Sequence, residues 1–405
     1  MRSIVRSWLF LLLVGPLWLP AQDGSSESNK QWDWSHPTIV AEYHRGTILP
    51  VEAFLRGENL LDRPMDRFQG FSLRYMTRAS GDQLWHHRHR LPESGFGLTL
   101  LDYDNPLEVG RPVAIHRSFR APLRQWNRLR FDYGADIGLA TGWKTYDTHS
   151  NPYNKLISTR LTAYFRLGMG ARFQLADHWA VSMDAGLTHV SNGNLKRPNA
   201  GLNAASVGLG LQYTVRPTTA PVYSAALPRF APVTDFTLSA FGGVEKRLYR
   251  TEELPPEEKY RGLTHGLGGV SAILSRRLTY ASKLGIGASV LYHGGDNLSV
   301  WTDAGQLHHE NGRAFAGPVR VGFFPAYELI FNRWSVQVQA EYYLLAAGGI
   351  TKQDRFRQRI GLKYHLTDRT YLAMLVNARQ FSIADFVEWH VGYSFTRNQP
   401  RRGSD

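Results

Sequence analysis

The sequence predicts an all-β protein, an antiparallel transmembrane β-barrel, and three observations carry that expectation. Apolar and polar residues alternate with period two over segments of roughly 10 to 17 residues, where strands of soluble proteins usually run about five or six. Within each segment one face stays apolar from end to end while the other carries Arg, Asp and Gln, the pattern of lipid outside and polar lumen inside. The composition agrees: 43% hydrophobic residues, 38 Gly, 19 Tyr and a mean hydropathy of −0.33 are too polar for a bundle of membrane helices.

Taken in order, residues 1–21 read as a secretory signal peptide. Arg2 and Arg6 give the positive end, Trp8 to Leu19 an apolar run interrupted by Gly15 and Pro16, and Ala21 a small residue for cleavage. An unbroken membrane helix needs about 20 apolar residues, so this run is too short to anchor the chain. Eight strands are expected before residue 216, near 38–48, 66–78, 94–103, 108–120, 127–141, 158–176, 179–191 and 202–215. The alternation is clearest in 159–175, where Leu161, Ala163, Phe165, Leu167, Met169, Ala171 and Phe173 oppose Thr162, Tyr164, Arg166, Gly168, Gly170, Arg172 and Gln174.

Arg216 to Val233 holds Pro217, Pro221, Pro228 and Pro232, a density that marks a linker or long turn. Eight more strands follow, near 233–249, 261–276, 280–293, 317–331, 333–345, 354–366, 369–380 and 384–397, with 398–405 as a disordered tail. The architecture is either two eight-stranded units in series, 38–215 and 233–397, or one larger barrel of about 12–16 strands. Short periplasmic turns are the rule in such barrels, which favours the division. The tight turn at 173–179 should face the periplasm, and the connections 142–157 and 192–201 the exterior. Trp143, Trp179, Trp301, Trp334 and Trp389 lie near strand ends, where interfacial aromatic girdles form.

The absence of Cys removes disulfides and zinc–thiolate sites. A net charge of +13 would suggest nucleic acid in a cytosolic protein; in an exported chain it suits anionic lipid, and no nucleic-acid partner is expected. The location expected is the bacterial outer membrane. Arg166, Arg172, Arg355, Arg357 and Arg359 on inner faces keep an anion-preferring pore open as a reading from another class.

One stretch carries chemistry. His189 and Ser191 share parity with the apolar face of Val181, Met183, Ala185 and Leu187, and Asn203 shares parity with the apolar face of the next strand. All three therefore lie on the lipid-facing wall at the outer ends of two strands. Residues at i and i+2 stand about 6.5–7 Å apart along a strand, close enough for their side chains to lean together. A polar set against hydrocarbon costs free energy unless its members bond one another. That is the logic of a nucleophile, Ser191, a base, His189, and an orienting group, Asn203. Backbone N–H groups near Asn192 to Asn194 would face an oxyanion, and Lys196 and Arg197 lie at headgroup height for lipid phosphates. In the second half, Tyr292 to Gly295 faintly echoes the motif, with Gly295 where a nucleophile would stand.

His189, Ser191 and Asn192, followed by Leu195, Lys196, Pro198, Asn199 and Gly201, resemble the active-site segment of outer-membrane lipid A 3-O-deacylases, the acyloxyacyl hydrolase-like barrels. The resemblance implies that His189 and Ser191 are catalytic and that Asn199 helps to form the oxyanion hole. It also implies a Glu to orient the His, and here Asn203 stands in that position. The same stretch is similar to outer-membrane phospholipase A, which has His-x-Ser-Asn-Gly and an orienting Asn twelve residues after the Ser, matching Asn203. The close match covers about 15 residues. The expectation is a serine-type hydrolase of an acyl ester of lipid A, or alternatively of phospholipid. No cofactor is expected, except calcium on the phospholipase reading, which also implies a homodimer. A non-catalytic barrel with a degenerate site is the remaining reading.

Overall fold

The computed structural model describes residues 32–217, 230–312, 317–346, 353–379 and 383–397. The expected signal peptide, most of the proline-rich linker and the C-terminal tail lie outside the described residues.

The chain forms two closed antiparallel barrels of eight strands each. The first comprises β1 (Trp32–Ile48), β2 (Arg67–Ala79), β3 (Glu93–Asp102), β4 (Gly110–Trp126), β5 (Leu129–Trp143), β6 (Leu161–Gln174), β7 (Trp179–Ser191) and β8 (Leu202–Thr214). Pairing of β1 with β8, from Thr38 opposite Thr214 to Ile48 opposite Ala204, closes it. The second comprises β9 (Thr234–Arg247), β10 (Leu263–Arg277), β11 (Ser282–His293), β14 (Val319–Phe331), β15 (Trp334–Ala346), β16 (Phe356–His365), β17 (Thr370–Arg379) and β18 (Ile383–Arg397), closed by β18 on β9. The single larger barrel is thereby set aside. The division has a simple cause: each run of eight ends on a strand in register with its first, and closure leaves no unpaired edge for further strands.

Parity assigns the faces. On β7 and β8, Met183, Leu187, Val207 and Leu209 are 59–67% exposed, whereas Val190 and Leu202 are fully buried. The exterior is thus the apolar band. The lumen is filled rather than open. Its outer end in the first barrel is plugged by Ile48, Phe54, Phe68, Tyr103, Trp143 and Tyr164 with their neighbours. Below the plug runs a lattice of buried ion pairs, including Arg74 with Glu42, Arg166 with Asp184, and Arg172 with Glu93 at 2.6 Å. The second barrel does the same with Arg359 and Glu341, capped by Phe241, Leu267, Leu291, Tyr343 and Phe386. Buried charges need such partners, because desolvation of an unpaired ion costs several kcal/mol. The arginines that suggested a pore are mostly tied into this packing: Arg357 pairs with Asp385, and Arg355 donates to the carbonyl of Leu344 at 3.0 Å.

Several local expectations need correction. Trp143 does not join an interfacial girdle: it is 6% exposed and its indole N–H donates into the lumen, to Thr162 Oγ1 at 3.0 Å. Trp301 sits on a separate hairpin of β12 (Leu298–Asp303) and β13 (Gln306–Asn311), absent from the strands read in sequence. Ala304 and Gly305, both at positive φ, turn it. A short helix, α1 (Leu84–Arg88), also lies in the β2–β3 connection, to which the sequence reading assigned no element.

The start of β1 and the end of β18 lie with the tight turns at 127–128, 175–178, 278–281, 332–333 and 366–369; most of the long connections leave the opposite end. The barrels meet at both levels. At the tight-turn end His89, following α1, donates from Nε2 to the Ile330 carbonyl at 2.9 Å and stacks on Phe331. At the other end Asn194 Nδ2 donates to the Asp385 carbonyl at 2.6 Å. The two barrels therefore share one orientation, as one membrane requires.

Candidate active site

β7 and β8 place the site. Their register sets His189 opposite Asn203, one step inside the loop 192–201. Both side chains leave the outward face, since Val190, Leu202 and Ala204 of opposite parity are buried in the plug. The Ser191 hydroxyl donates to His189 Nε2 at 2.9 Å, and His189 Nδ1–H donates to Asn203 Oδ1 at 2.7 Å. The three sequence-expected residues are thus one hydrogen-bonded chain on the lipid-facing wall. An amide oxygen aimed at Nδ1 leaves Nε2 as the acceptor, the tautomer a general base needs.

The bare His-x-Ser pattern occurs twice. His116 Nδ1 also bonds Ser118 Oγ, at 3.1 Å, but both point into the closed lumen of the first barrel. In the second barrel Ser239, His390 and Glu388 make a similar chain, likewise buried. The echo at Tyr292 to Gly295 fares no better: His293 is fully buried and bonded to Glu245 at 2.8 Å. Facing, not composition or exposure, separates the outward-pointing set from these luminal ones, for Ser191 itself is only 6% exposed. Glu42, His44 and Asp184 come close enough together to suggest a cation, yet Arg74 and Arg166 already neutralise the two carboxylates.

The loop after Ser191 is held rigidly. Asn192 Nδ2 donates to Ser158 Oγ at 3.1 Å and to the Lys196 carbonyl at 2.8 Å, and Ser158 donates to that same carbonyl. The Asn192 side chain therefore shapes the loop. Asn199 Oδ1 accepts from the Asn192 backbone N–H at 3.1 Å, and Gly193 N–H reaches Ser191 Oγ at 3.4 Å. Asn199 and the 192–193 backbone thus gather beside the hydroxyl. Lys196 is exposed and Arg197 half-buried on the loop's rim.

Two contributors escaped the sequence reading. Ser158, on the β5–β6 connection, carries no motif that would mark it. Gly201 does: it has φ +70°, and a Cβ there would meet the Val190 carbonyl at 2.9 Å and Ser191 Cβ at 3.2 Å. The loop can lie against the hydroxyl only because nothing projects from position 201.

An integral outer-membrane β-barrel with a Ser–His–Asn chain on its exterior is the class that fold and site define. Residues 69–212 match the family model of lipid A 3-O-deacylase (PagL), and 234–398 match that of the acyloxyacyl hydrolase C-terminal domain. The two matches together span most of the chain, which belongs to this family of hydrolases. The second barrel thus matches a family model distinct from that of the first. No curated protein matches the chain significantly. Among solved structures, Neisserial surface protein A is 11% identical with a TM-score of 0.28, covering 44% of this chain and 96% of its own. Pseudomonas aeruginosa OccK1 is 11% identical with a TM-score of 0.20, covering 89% and 98%. A mutant Rh. blastica porin is 10% identical with a TM-score of 0.16, covering 89% and 99%. Likenesses this weak carry no argument.

Proposed function

We propose that this protein hydrolyses an acyl ester of lipid A in the outer membrane, with Ser191 as nucleophile and His189 as general base. The observation that carries the reading is the outward-facing chain from Ser191 through His189 to Asn203, at the height where a membrane lipid holds its esters. Ser191 Oγ attacks the ester carbonyl while His189 Nε2 takes its proton. The tetrahedral oxyanion is met by Asn199 and by backbone N–H groups of the 192–194 loop. Collapse expels the sugar alkoxide, protonated by His189, and leaves an acyl-serine. Water, activated by the same imidazole, releases the fatty acid. Asn203 orients the ring without adding a charge to the imidazolium, which makes it a weaker partner than a carboxylate.

Phospholipid hydrolysis is the second reading, favoured by the orienting Asn203. The test is mass spectrometry of lipid A incubated with the purified protein, beside phospholipid in the same micelles. Loss of one hydroxyacyl chain from lipid A is the expected result, unchanged by chelator. Intact lipid A with lysophospholipid appearing, abolished by chelator, would move the assignment to a calcium-dependent phospholipase.

A further inference from the structure

The loop that begins at the nucleophile leans on the second barrel. Besides the bond from Asn194 to the Asp385 carbonyl, a Cβ at Gly193 would meet Val387 Cγ2 at 3.9 Å. Asp385 stands where β18 bulges, in the register shift opposite Asn377 and Ala378. On the neighbouring strand Phe386 pairs with Glu245, so Lys246, next along β9, lies beside the same bulge. Glu245 points inward, and Lys246 shares the outward parity of Val244 and Leu238. Lys246 accordingly lies within electrostatic reach of Lys196, Arg197 and Arg261.

Arg261 is paired with Glu258, but Lys196, Arg197 and Lys246 have gathered with no ion-pair partner among the described residues, although Arg197 lies within electrostatic reach of Asp385 and Glu245. The carboxylates at the seam are engaged elsewhere: Asp385 with Arg357 and Arg379, Glu245 with His293 and Arg247, and Glu258 with Arg261. Arg197 Nε is buried with no hydrogen-bond partner, and among the described residues neither Lys196 nor Lys246 forms an ion pair. Like charges held together at the edge of a low-dielectric slab repel, and an anion between them removes that repulsion. Within the cluster, Lys196 lies five residues along the chain from Ser191, on the loop that begins there.

We propose that Lys196, Arg197 and Lys246 form an anion subsite across the two barrels that binds the phosphate of the glycolipid headgroup. The second barrel thereby supplies part of the substrate site whose chemistry lies in the first. The proposal rests on the reading of Ser191 as the nucleophile for a membrane glycolipid.

Native mass spectrometry of the full chain in detergent micelles, carrying Ser191→Ala so that lipid is retained, provides the test. The probes are bisphosphorylated lipid A, its enzymatically dephosphorylated form, and inorganic phosphate. Lys246→Gln and, separately, Arg197→Gln should each weaken retention of the phosphorylated lipid by about tenfold, the loss of one charge-assisted phosphate contact. Retention of the dephosphorylated lipid should stay the same, and Arg111→Gln, on a distant exposed site, should change neither. Equal weakening for both lipids, or none, would overturn the subsite. Inorganic phosphate displacing the lipid at equal concentration would overturn the headgroup assignment in favour of a free anion. Hydrolysis surviving in Ser191→Ala, with phosphate-dependent binding intact, would sink the nucleophile while leaving the subsite standing.

Discussion

At the scale of single residues, the site depends on two that carry no charge. Asn203 holds the imbalance most open to test, because its Oδ1 fixes the His189 tautomer while its Nδ2 is buried without a partner. Asn203→Ala should lower kcat by about 100-fold, between the loss of one neutral hydrogen bond and the roughly 10⁴-fold cost of a misdirected tautomer. Asn203→Asp should recover that loss and exceed the parent several-fold, since a carboxylate stabilises the imidazolium. Steady-state kinetics on lipid A checks both, and an Asp variant slower than Ala would show that Asn203 does not orient the ring. Gly201→Ala meets both a positive φ and the Ser191 side chain. We expect about 1–2 kcal/mol of strain and a kcat at least tenfold lower, with the melting temperature of the barrel little changed. A fully active Gly201→Ala would show that the loop does not need to lie so close.

The strands were legible because alternation is a direct imprint of a two-faced wall, and the observed bounds of β7, Trp179–Ser191, coincide with those read in sequence. Parity then placed His189, Ser191 and Asn203 together without any structure. What alternation could not reveal lies off the wall. The β12–β13 hairpin is six residues a side and flanked by polar turns, too short and too wet to stand out. Trp143 was misplaced because strand-end position and its odd, outward parity were taken for an interfacial site, whereas Gly142 at positive φ and the register shift between Gly110 and Val113 break the alternation and turn the indole toward the plug. Helix α1 is five residues long and was hidden inside a connection. It nonetheless carries a pH-sensitive element. Burial pushes His86 down to about 4, and His89 is lowered too, despite its bond to the Ile330 carbonyl. In the unfolded chain both imidazoles titrate near about 6.5. Below that value the unfolded state binds more protons, so stability present at neutral pH is lost as pH falls through 6.5 and levels off near 4. Thermal unfolding in detergent, followed by Trp fluorescence, should show the melting temperature falling between pH 7 and 5. His86→Asn should flatten that slope; an unaltered slope would place the acid sensitivity elsewhere.

At the scale of the whole molecule, the charge lattices inside both barrels and the apolar plugs at their outer ends make a pore the weaker reading. Planar-bilayer recording should show no steady conductance from the intact chain, and stable ohmic channels would contradict the filled lumens. Only the division into two closed barrels, each with its own outer plug, lets a polar chain on the exterior of one be flanked by the rim of the other. The sequence left that arrangement open, because the contacts that set it, Asn194 with Asp385 and His89 with Phe331, join residues far apart in the chain.

The central claim is that the outward-facing Ser191, and none of the serines bonded to histidine inside the lumens, is the nucleophile. Fluorophosphonate labelling followed by peptide mass mapping tests it most directly. A single adduct on Ser191, lost in His189→Ala, is the result expected. An adduct on Ser118 or Ser239 instead, or hydrolysis of lipid A persisting in fully labelled protein, would contradict the account.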